Sequence, residues 1–328
     1  MGRALNYHIF FGYDRPKASG GLELFEDIPM LKHFGKQTTL LGVMATATGL
    51  FASGAQATVE ISSKATKDMS CSGGVCAPTA TNAVLNAGDL ETMLASGNVT
   101  VTTTNSKVQA DNIEVADALT WSGSTTLSLS AYDSISVNSG VSVKGQGGMS
   151  LTTNDGGKNG TLWFSQKGNI TFSNLSSQLS INGISFTLAS DIKTLASDIT
   201  SNPSGDFALA NSFNAKDDGT YDSSPLPGFG GMFTGLGNTI SGLSIKDTNT
   251  SDSVGLFYNI YAGVVENLNV TNAKVVGPTG TSNDFSVIGI LAGSNAGVMS
   301  NDAVSGSVTS GTNSNYTNVG GVVGWNGN

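Results

Sequence analysis

Few residues of this chain could take part in chemistry. Cys71 and Cys76 bracket the loop Cys-Ser-Gly-Gly-Val-Cys, and its two adjacent glycines allow the thiols to close a disulfide. Because two thiolates without a histidine make a poor metal site, we expect a local disulfide here. The one local cluster of acids, Asp217, Asp218 and Asp222, lies in a loop rich in Gly, Pro and Ser. Such a loop favours turn residues over the paired carboxylates of a glycosidase.

The residue types that are missing restrict function further. Both histidines, His8 and His33, precede Ala57, and the chain beyond Ala57 has ten lysines, 20 acidic residues and no arginine. A Ser-His-Asp group, a Cys-His group or a His-ligated zinc or haem site needs histidine. Nucleic-acid binding and adsorption to anionic lipid need basic patches, and none is visible. The sequence therefore predicts a non-enzymatic protein without a catalytic site, a cofactor or a metal.

The N-terminal part contains a pattern typical of a secretory signal peptide, which we place at residues 30–57. A short basic segment, Met30–Lys36, precedes an uncharged apolar run at 37–51 and small residues that end in Ala-x-Ala at Ala57. We expect cleavage after Ala57, and the apolar run is too short for an integral membrane segment. Residues 1–29 have mixed charge and form a doubtful leader. Met30 is then the true start, or the signal peptide is an extended one.

Two short helices are predicted. Near 89–96, Leu90, Met93 and Leu94 are three and four residues apart, and Gly97 ends the segment. With the cysteine pair, this helix makes residues 58–98 an N-terminal cap over the first strands. Near 190–199, apolar residues at helical spacing follow a Ser/Asp cap. We interpret this second helix as an excursion from the array of strands, not as a domain boundary.

From Val99 onward, short alternations of apolar and polar residues predict strands. Three pairs of apolar positions recur at one constant offset, and a looser copy follows. A three-strand unit of this length is the expected size of one turn of a parallel β-helix. An antiparallel sandwich would not require one offset for all three pairs. The pairs are Ile113/Val115, Leu119/Trp121 and Leu127/Leu129, then Ile135/Val137, Val141/Val143 and Met149/Leu151, then Leu162/Phe164, Ile170/Phe172 and Leu179/Ile181.

Glycine-rich phrases repeat in the second half of the chain. They are Gly231–Ile245, Gly255–Val270, Gly289–Asn301 and Gly320–Asn328, and we align them by their first glycines. A phrase that recurs at such distances is typical of stacked structural units. The first phrase marks a junction between the regular repeats and longer ones. Because the last phrase stops within its repeat, we expect a truncated reading frame or a fragment of a longer protein.

Several of these segments resemble one family in their order. Ile181–Leu188, Gly205–Asn211, Phe233–Ile245 and Gly255–Phe257 resemble filamentous-haemagglutinin-like exoproteins, and Gly289–Gly297 and Gly320–Asn326 resemble their GLUG repeat. The resemblance implies an all-β, right-handed parallel β-helix over residues 99–328, with GLUG-like repeats from about residue 229. It also implies an adhesin on the surface or outer membrane of a Gram-negative bacterium. The Asn-Pro-Asn-Gly signature of two-partner secretion is replaced by the misplaced Asn202-Pro-Ser-Gly205, so the export route stays open.

The resulting hypothesis is a secreted or cell-surface module that mediates attachment. Its partners would be host or environmental glycans or cell-surface receptors, together with an outer-membrane transporter for export. Loops at 154–160 and 216–228 would be the contact points. The alternative without a binding role is a purely structural stalk. A β-helix lyase or glycoside hydrolase is the enzymatic alternative.

Aromatic and threonine residues offer two further surfaces. Trp121 and Trp163 lie in strand patterns and are expected in the core, whereas Trp325 takes the place of Ser294 in its repeat and is expected to be exposed. A flat threonine face around Thr100–Thr104 would suit ice or crystals. Threonine does not recur at matching places, so this face is not favoured.

Overall fold

The computed structural model describes residues 5–10, 57–248, 253–278, 285–311 and 316–327. The predicted signal peptide except Ala57, and the leader except Leu5–Phe10, lie outside these residues. The described chain is mostly β, and its strands pair in parallel almost throughout, which is consistent with a β-solenoid. None of the described helices has the length and apolar character that crossing a membrane requires.

Residues 58–181, which we call the first stack, form three sheets whose strands are parallel except for one hairpin near the N-terminus. Ile113 pairs with Ile135, Leu119 with Val141 and Leu127 with Met149, so the predicted constant offset is confirmed on all three sheets. The looser copy that follows is also in the predicted register. Alternate side chains of a strand point to opposite faces, and the apolar ones are buried inside.

The first stack contains these strands. One sheet has Ala83–Asn86, Thr58–Ser62, Asn112–Val115, Ile135–Val137 and Leu162–Phe164, and the second has Leu119–Trp121, Gly140–Val143 and Asn169–Phe172. The third begins with the antiparallel pair Met69–Ser72 and Val75–Pro78 and continues through Val99–Thr102, Thr126–Ser130, Gly148–Thr152 and Leu179–Ile181.

The third sheet passes through a hairpin into a second set of strands. Leu179–Ile181 pairs antiparallel with Ile184–Ala189, and Asn182 and Gly183 form the turn with φ of 50° and 81°. Asn-Gly with both residues left-handed is typical of a two-residue hairpin turn. The same sheet then continues in parallel through Phe207–Leu209, Met232–Thr234, Val264–Glu266 and Val298–Ser300. Residues from Ile184 onward form the second stack.

Two hydrophobic cores lie on opposite faces of this shared sheet. Leu188 and Ala208 pack in the core of the first stack, whereas their strand neighbours Ala189, Phe207 and Leu209 pack in that of the second. The strand direction and the core-bearing face both reverse at the hairpin, while successive strands keep advancing along the sheet. Because the two reversals cancel, both stacks wind with the same handedness.

A helix covers the beginning of each stack. Helix α1 (Ala87–Leu94) contributes Leu90 and Leu94 to the first core, and helix α2 (Ile192–Ser201) contributes Ile192, Leu195 and Ile199 to the second. The Asn86 and Asp191 side chains cap the two helices. Both predicted helices are therefore confirmed, each displaced by two residues. Helix α2 is more than an excursion from the array of strands, because it covers the N-terminal end of the second core.

Helix α1 also protects a sheet edge. The Glu91 carboxylate accepts a hydrogen bond from the Thr120 backbone N–H at 2.7 Å, and the Thr125 hydroxyl donates to the Leu94 carbonyl at 2.6 Å. Leu119–Trp121 is the first strand of its sheet. The helix therefore occupies an edge that would otherwise be open to pairing.

The glycine-rich repeats of the second stack are in parallel register. Val254 pairs with Ile288, and Ile288 pairs with Val319, so the alignments of Gly255 with Gly289 and of Gly289 with Gly320 are confirmed. The alignment of Gly231 with Gly255 is wrong, because Met232 pairs with Val264. Each repeat contains two similar Gly-apolar stretches, and the sequence alignment matched one to the other.

Among its described residues, the second stack has three further sheets. They are Phe213–Asn214, Thr239–Ser241, Ser244–Lys246, Asn269–Val276 and Ala303–Thr309 with the antiparallel Leu5–Phe10; Ser253–Val254, Phe285–Ile288 and Tyr316–Val319; and Phe257–Ile260, Ala292–Asn295 and Val323–Asn326. A short 3-10 helix, Ala215–Asp218, directly follows the strand Phe213–Asn214.

Candidate functional site

The cysteine pair lies in the hairpin that begins the long shared sheet. Cys71 and Cys76 are directly opposite each other, and their sulfurs are bonded. Gly73 and Gly74 make the turn with φ of 58° and 80°, a left-handed backbone that favours glycine. The Cys76 side chain is buried in the first core. The pair therefore holds a hairpin against the core.

Within the acid cluster, Asp218 is tied into the fold, whereas Asp217 and Asp222 are exposed. The Asp218 carboxylate lies 2.5 Å from the Lys193 ammonium of α2 and accepts a hydrogen bond from the Tyr221 hydroxyl at 2.5 Å. Burial, together with the neighbouring Asp218 charge, raises the pKa of Tyr221 well above its usual range. Among the described residues, no group of three or more His, Cys, Asp and Glu side chains could hold a metal. The Asp218 contacts fix this loop against α2.

The two predicted contact loops differ. The loop at 154–160 is largely exposed, and the Asn154 side chain closes it by accepting from the Gly160 N–H at 2.6 Å and donating to the Gly160 carbonyl at 2.9 Å. In the loop at 216–228, Leu226 is fully buried and bridges to Phe257. The second half of that loop therefore belongs to the stack, and only its first half is a surface loop.

The three tryptophans occupy different environments. Trp121 is buried, and its indole N–H donates to the Thr125 carbonyl at 3.0 Å. Trp325 is 48% exposed and pairs in register with Ser294, as expected. The expectation that Trp163 is in the core is wrong, because its side chain is 40% exposed. Leu162 begins the strand with an inward side chain, so the two-residue period turns Trp163 outward.

Trp325 is part of a surface that we call the aromatic face: Tyr261, Asn259, Ser294 and Trp325. Asn259, Ser294 and Trp325 stand side by side on three neighbouring strands. With strands about 4.8 Å apart, Asn259 and Trp325 are about 10 Å apart across Ser294. Tyr261, like Trp325, is 48% exposed. Two exposed aromatic rings thus flank a floor of small polar side chains.

Both aromatic rings lie directly against the backbone of a glycine. A Cβ added to Gly230 would lie 2.4–2.7 Å from the Tyr261 ring, and one added to Gly327 would lie 1.9–2.5 Å from the Trp325 ring. Any side chain at either position would displace the ring. A Cβ at Gly228 would meet Asn259 Oδ1 at 2.6 Å and the Tyr261 ring at 3.7 Å, so these two side chains lie over one stretch of backbone. The rings are held in place by the backbone beneath them.

Comparison with known proteins gives one local similarity. An 81-residue part of the chain is 43% identical to Halomucin of Haloquadratum walsbyi (strain DSM 16790 / HBSQ001). The matched part is 24% of this chain and 1% of the length of Halomucin. No family model matches the chain, and no solved structure matches it. The haemagglutinin-like and GLUG resemblance therefore stays a prediction.

Sequence reasoning missed Tyr261. It lies outside the alternating pattern because it follows the last residue of the strand Phe257–Ile260. The available signal was Gly228-Phe-Gly230, one repeat earlier. Two glycines on either side of a buried phenylalanine leave the outward face bare, and a bare patch on a sheet accommodates a ring from the next strand.

Proposed function

We propose that this chain is a non-enzymatic module outside the cell that binds neutral carbohydrate through its aromatic face. The observation that supports this function is the pair of exposed rings, Tyr261 and Trp325, each seated on glycine backbone. A planar ring packs well on the C–H face of a sugar, and Ser294 between the rings has a hydroxyl that can hydrogen-bond sugar hydroxyls. Large aromatic side chains with an apolar body and a polar tip are suited to binding surfaces that stay partly exposed to water.

Charge favours a neutral glycan over an anionic one. Beyond Ala57, acidic residues outnumber lysines two to one and arginine is absent. A protein with this balance repels acidic polysaccharides and nucleic acids. The aromatic face itself contains no charged side chain.

Three further parts of the proposal concern architecture and location. The parallel pairing within both stacks supports the parallel β-helix that the sequence resemblance implies, here divided by a hairpin into two stacks. The right-handed winding rests on that resemblance alone. The signal-peptide pattern and the similarity to Halomucin support a place at the cell surface. An adhesin of the haemagglutinin-like type, exported through an outer-membrane transporter, fits these features.

The enzymatic alternative needs two free carboxylates. Asp218 is committed to Lys193 and Tyr221, which disfavours the acid cluster as a catalytic pair. A purely structural stalk would have no use for the aromatic face, so it makes the opposite prediction in the experiment that follows.

We expect Tyr261→Ala and Trp325→Ala each to weaken carbohydrate binding about tenfold, because each removes about 1.4 kcal/mol of stacking. The full 328-residue chain would be tested for retention on immobilised mannan, galactan, glucan and alginate. Wild type should be retained on at least one neutral polymer and not on alginate. Shortening the loop at 154–160 should leave retention unchanged.

Trp163→Ala is the matched control. It removes an exposed tryptophan of similar accessibility from the first stack and should leave retention unchanged. Absence of wild-type binding to every polymer, or an equal loss in Trp163→Ala, would refute the aromatic face as the binding site and favour the stalk.

A further inference from the structure

One corner of the second stack brings two carboxyl groups near each other, and neither forms an ion pair with a residue that the structure describes. Glu266 and Ser300 are cross-strand partners at the ends of their strands. The chain then bends at Asn267 and Asn301, with φ of 57° and 55°. Asp302 follows, and its Oδ1 accepts a hydrogen bond from the Leu268 N–H at 2.9 Å. Glu266, Asn267 and Asp302 form what we call the acidic corner.

Several polar atoms of this corner lack partners. Asn267 is 3% exposed, and neither its Oδ1 nor its Nδ2 has a hydrogen-bond partner among the described residues. Asp302 is 9% exposed, and its Oδ2 also lacks one there. The backbone of Asn267 is satisfied, since its N–H donates to the Ser300 carbonyl at 3.1 Å and its carbonyl accepts from the Gly237 N–H at 2.9 Å. Buried polar side chains without partners are rare and costly.

The electrostatics of the corner are also unbalanced. Burial raises the pKa of Asp302, and the nearby Glu266 charge raises it further, while burial raises the pKa of Glu266. The ion pairs among the described residues join Lys64 to Glu60, Lys67 to Asp68 and Lys193 to Asp218, all outside the corner. Neither carboxyl group of the corner forms an ion pair with a described residue, so a bound cation would give the unmet Asn267 and Asp302 oxygens a partner and would favour the charged form of both acids.

We propose that the acidic corner binds Ca²⁺, with the Glu266 carboxylate, Asn267 Oδ1 and Asp302 Oδ2 as ligands. Carboxylate and amide oxygens are the ligands that this hard cation prefers, and water completes its flexible coordination shell. Glu266 is only partly buried, so a cation can reach the site from solvent past its side chain. A cation bound there would link two successive repeats, because Glu266 and Asn267 belong to one repeat and Asp302 to the next. The site is independent of the carbohydrate proposal.

The test uses the full chain, dialysed against EDTA and titrated with CaCl₂. Thermal unfolding and calorimetry would be followed together. We expect Ca²⁺ to raise the melting temperature of wild type, and Asp302→Asn and Glu266→Gln each to weaken binding at least tenfold. Asn267→Asp should bind more tightly, because aspartate keeps the oxygen, adds a charge and tolerates the left-handed backbone. Asp198→Asn, in α2, is the control and should respond like wild type.

The variants also separate ligand loss from misfolding. In EDTA, Asp302→Asn should melt close to the wild-type temperature, because the amide oxygen can keep the hydrogen bond from the Leu268 N–H. If that variant fails to fold, Glu266→Gln at the rim carries the same test. No calcium-dependent shift in wild type, or an undiminished shift in a folded Asp302→Asn or Glu266→Gln variant, would overturn the site. Loss of the shift in Asp198→Asn as well would show non-specific binding and would overturn it equally.

Discussion

Replacing Asn238 by leucine should lower the free energy of unfolding by about 2–6 kcal/mol, because it leaves two buried carbonyls without a donor. Asn238 is fully buried, and its Nδ2 donates to the Ile170 carbonyl at 2.8 Å and to the Leu209 carbonyl at 3.0 Å. Its Oδ1 accepts from Asn169 Nδ2 at 3.0 Å. Ile170 belongs to the first stack and Leu209 to the second, so one amide connects the two.

The surroundings explain why nothing else can replace that amide. The strand Asn169–Phe172 is the last of its sheet, and its free edge is completed by irregular backbone of the second stack. The Ile170 N–H donates to the Leu236 carbonyl at 3.0 Å, and the Phe172 N–H to the Ala210 carbonyl at 2.9 Å. Leucine matches asparagine in shape but has no donor for the remaining carbonyls.

Urea denaturation followed by circular dichroism would measure the effect. Asn202→Leu, at the exposed end of α2, is the matched control and should change stability by no more than about 0.5 kcal/mol. Because stacked repeats are coupled through their neighbours, loss of the connection should also broaden the transition or divide it in two. A single unshifted transition would show that the two stacks are joined by the shared sheet alone.

The regular part of the fold was predictable because its geometry repeats. Each inward position of the three-strand unit carries an apolar residue at the same offset, so Ile113 predicts Ile135 and Leu127 predicts Met149 without knowledge of the sheets. Both helices were predictable for a similar reason, since their caps and apolar spacing are local signals. Local and periodic signals survive in the sequence because each residue contacts its own equivalent in the next repeat.

The change of core could not be predicted from the same signals. Ala189, Phe207 and Leu209 face one core and Leu188 and Ala208 the other, so these strands are apolar on both faces. Alternation then disappears, and the pattern no longer indicates which face is inside. The Asn182-Gly183 turn was visible, but only the pairing with Leu179–Ile181 shows that the chain reverses there.

The candidate sites were predictable only in part. Trp325 was found because the repeat places it opposite Ser294, which is partly exposed, as is Asn259 in the preceding copy. Tyr261 and the acidic corner depend on contacts between repeats of unequal length, where Glu266 meets Ser300 and Asp302 reaches Leu268. Their register follows the confirmed alignment of Gly255 with Gly289, but Glu266 and Asp302 have no acidic equivalents in the neighbouring repeats, so no periodic signal marks them. Tyr261 is marked only by the two glycines of the preceding repeat.

Phe257→Ala should destabilise the second stack by about 3–5 kcal/mol, which is the usual cost of deleting a fully buried phenylalanine. The Phe257 ring is completely buried, with ring centroids 5.6 Å from Phe229 and 5.9 Å from Phe233. The cavity would open between two successive repeats, because Phe229 and Phe233 both belong to the repeat that precedes Phe257. Its neighbours cannot collapse into the cavity, since parallel pairing on both sides fixes the backbone of Phe233 and of Phe257.

Phe285→Ala is the matched control for that variant, because it removes the same side chain from a position that is 48% exposed. We expect it to change stability by no more than about 0.5 kcal/mol. Hydrogen exchange would locate the Phe257→Ala effect: amides of the second stack should lose protection while Leu127–Leu129 and other first-stack strands keep theirs. Equal loss in both stacks would mean that the two cores unfold as one unit, and that Asn238 and the shared sheet couple them more strongly than packing within either core.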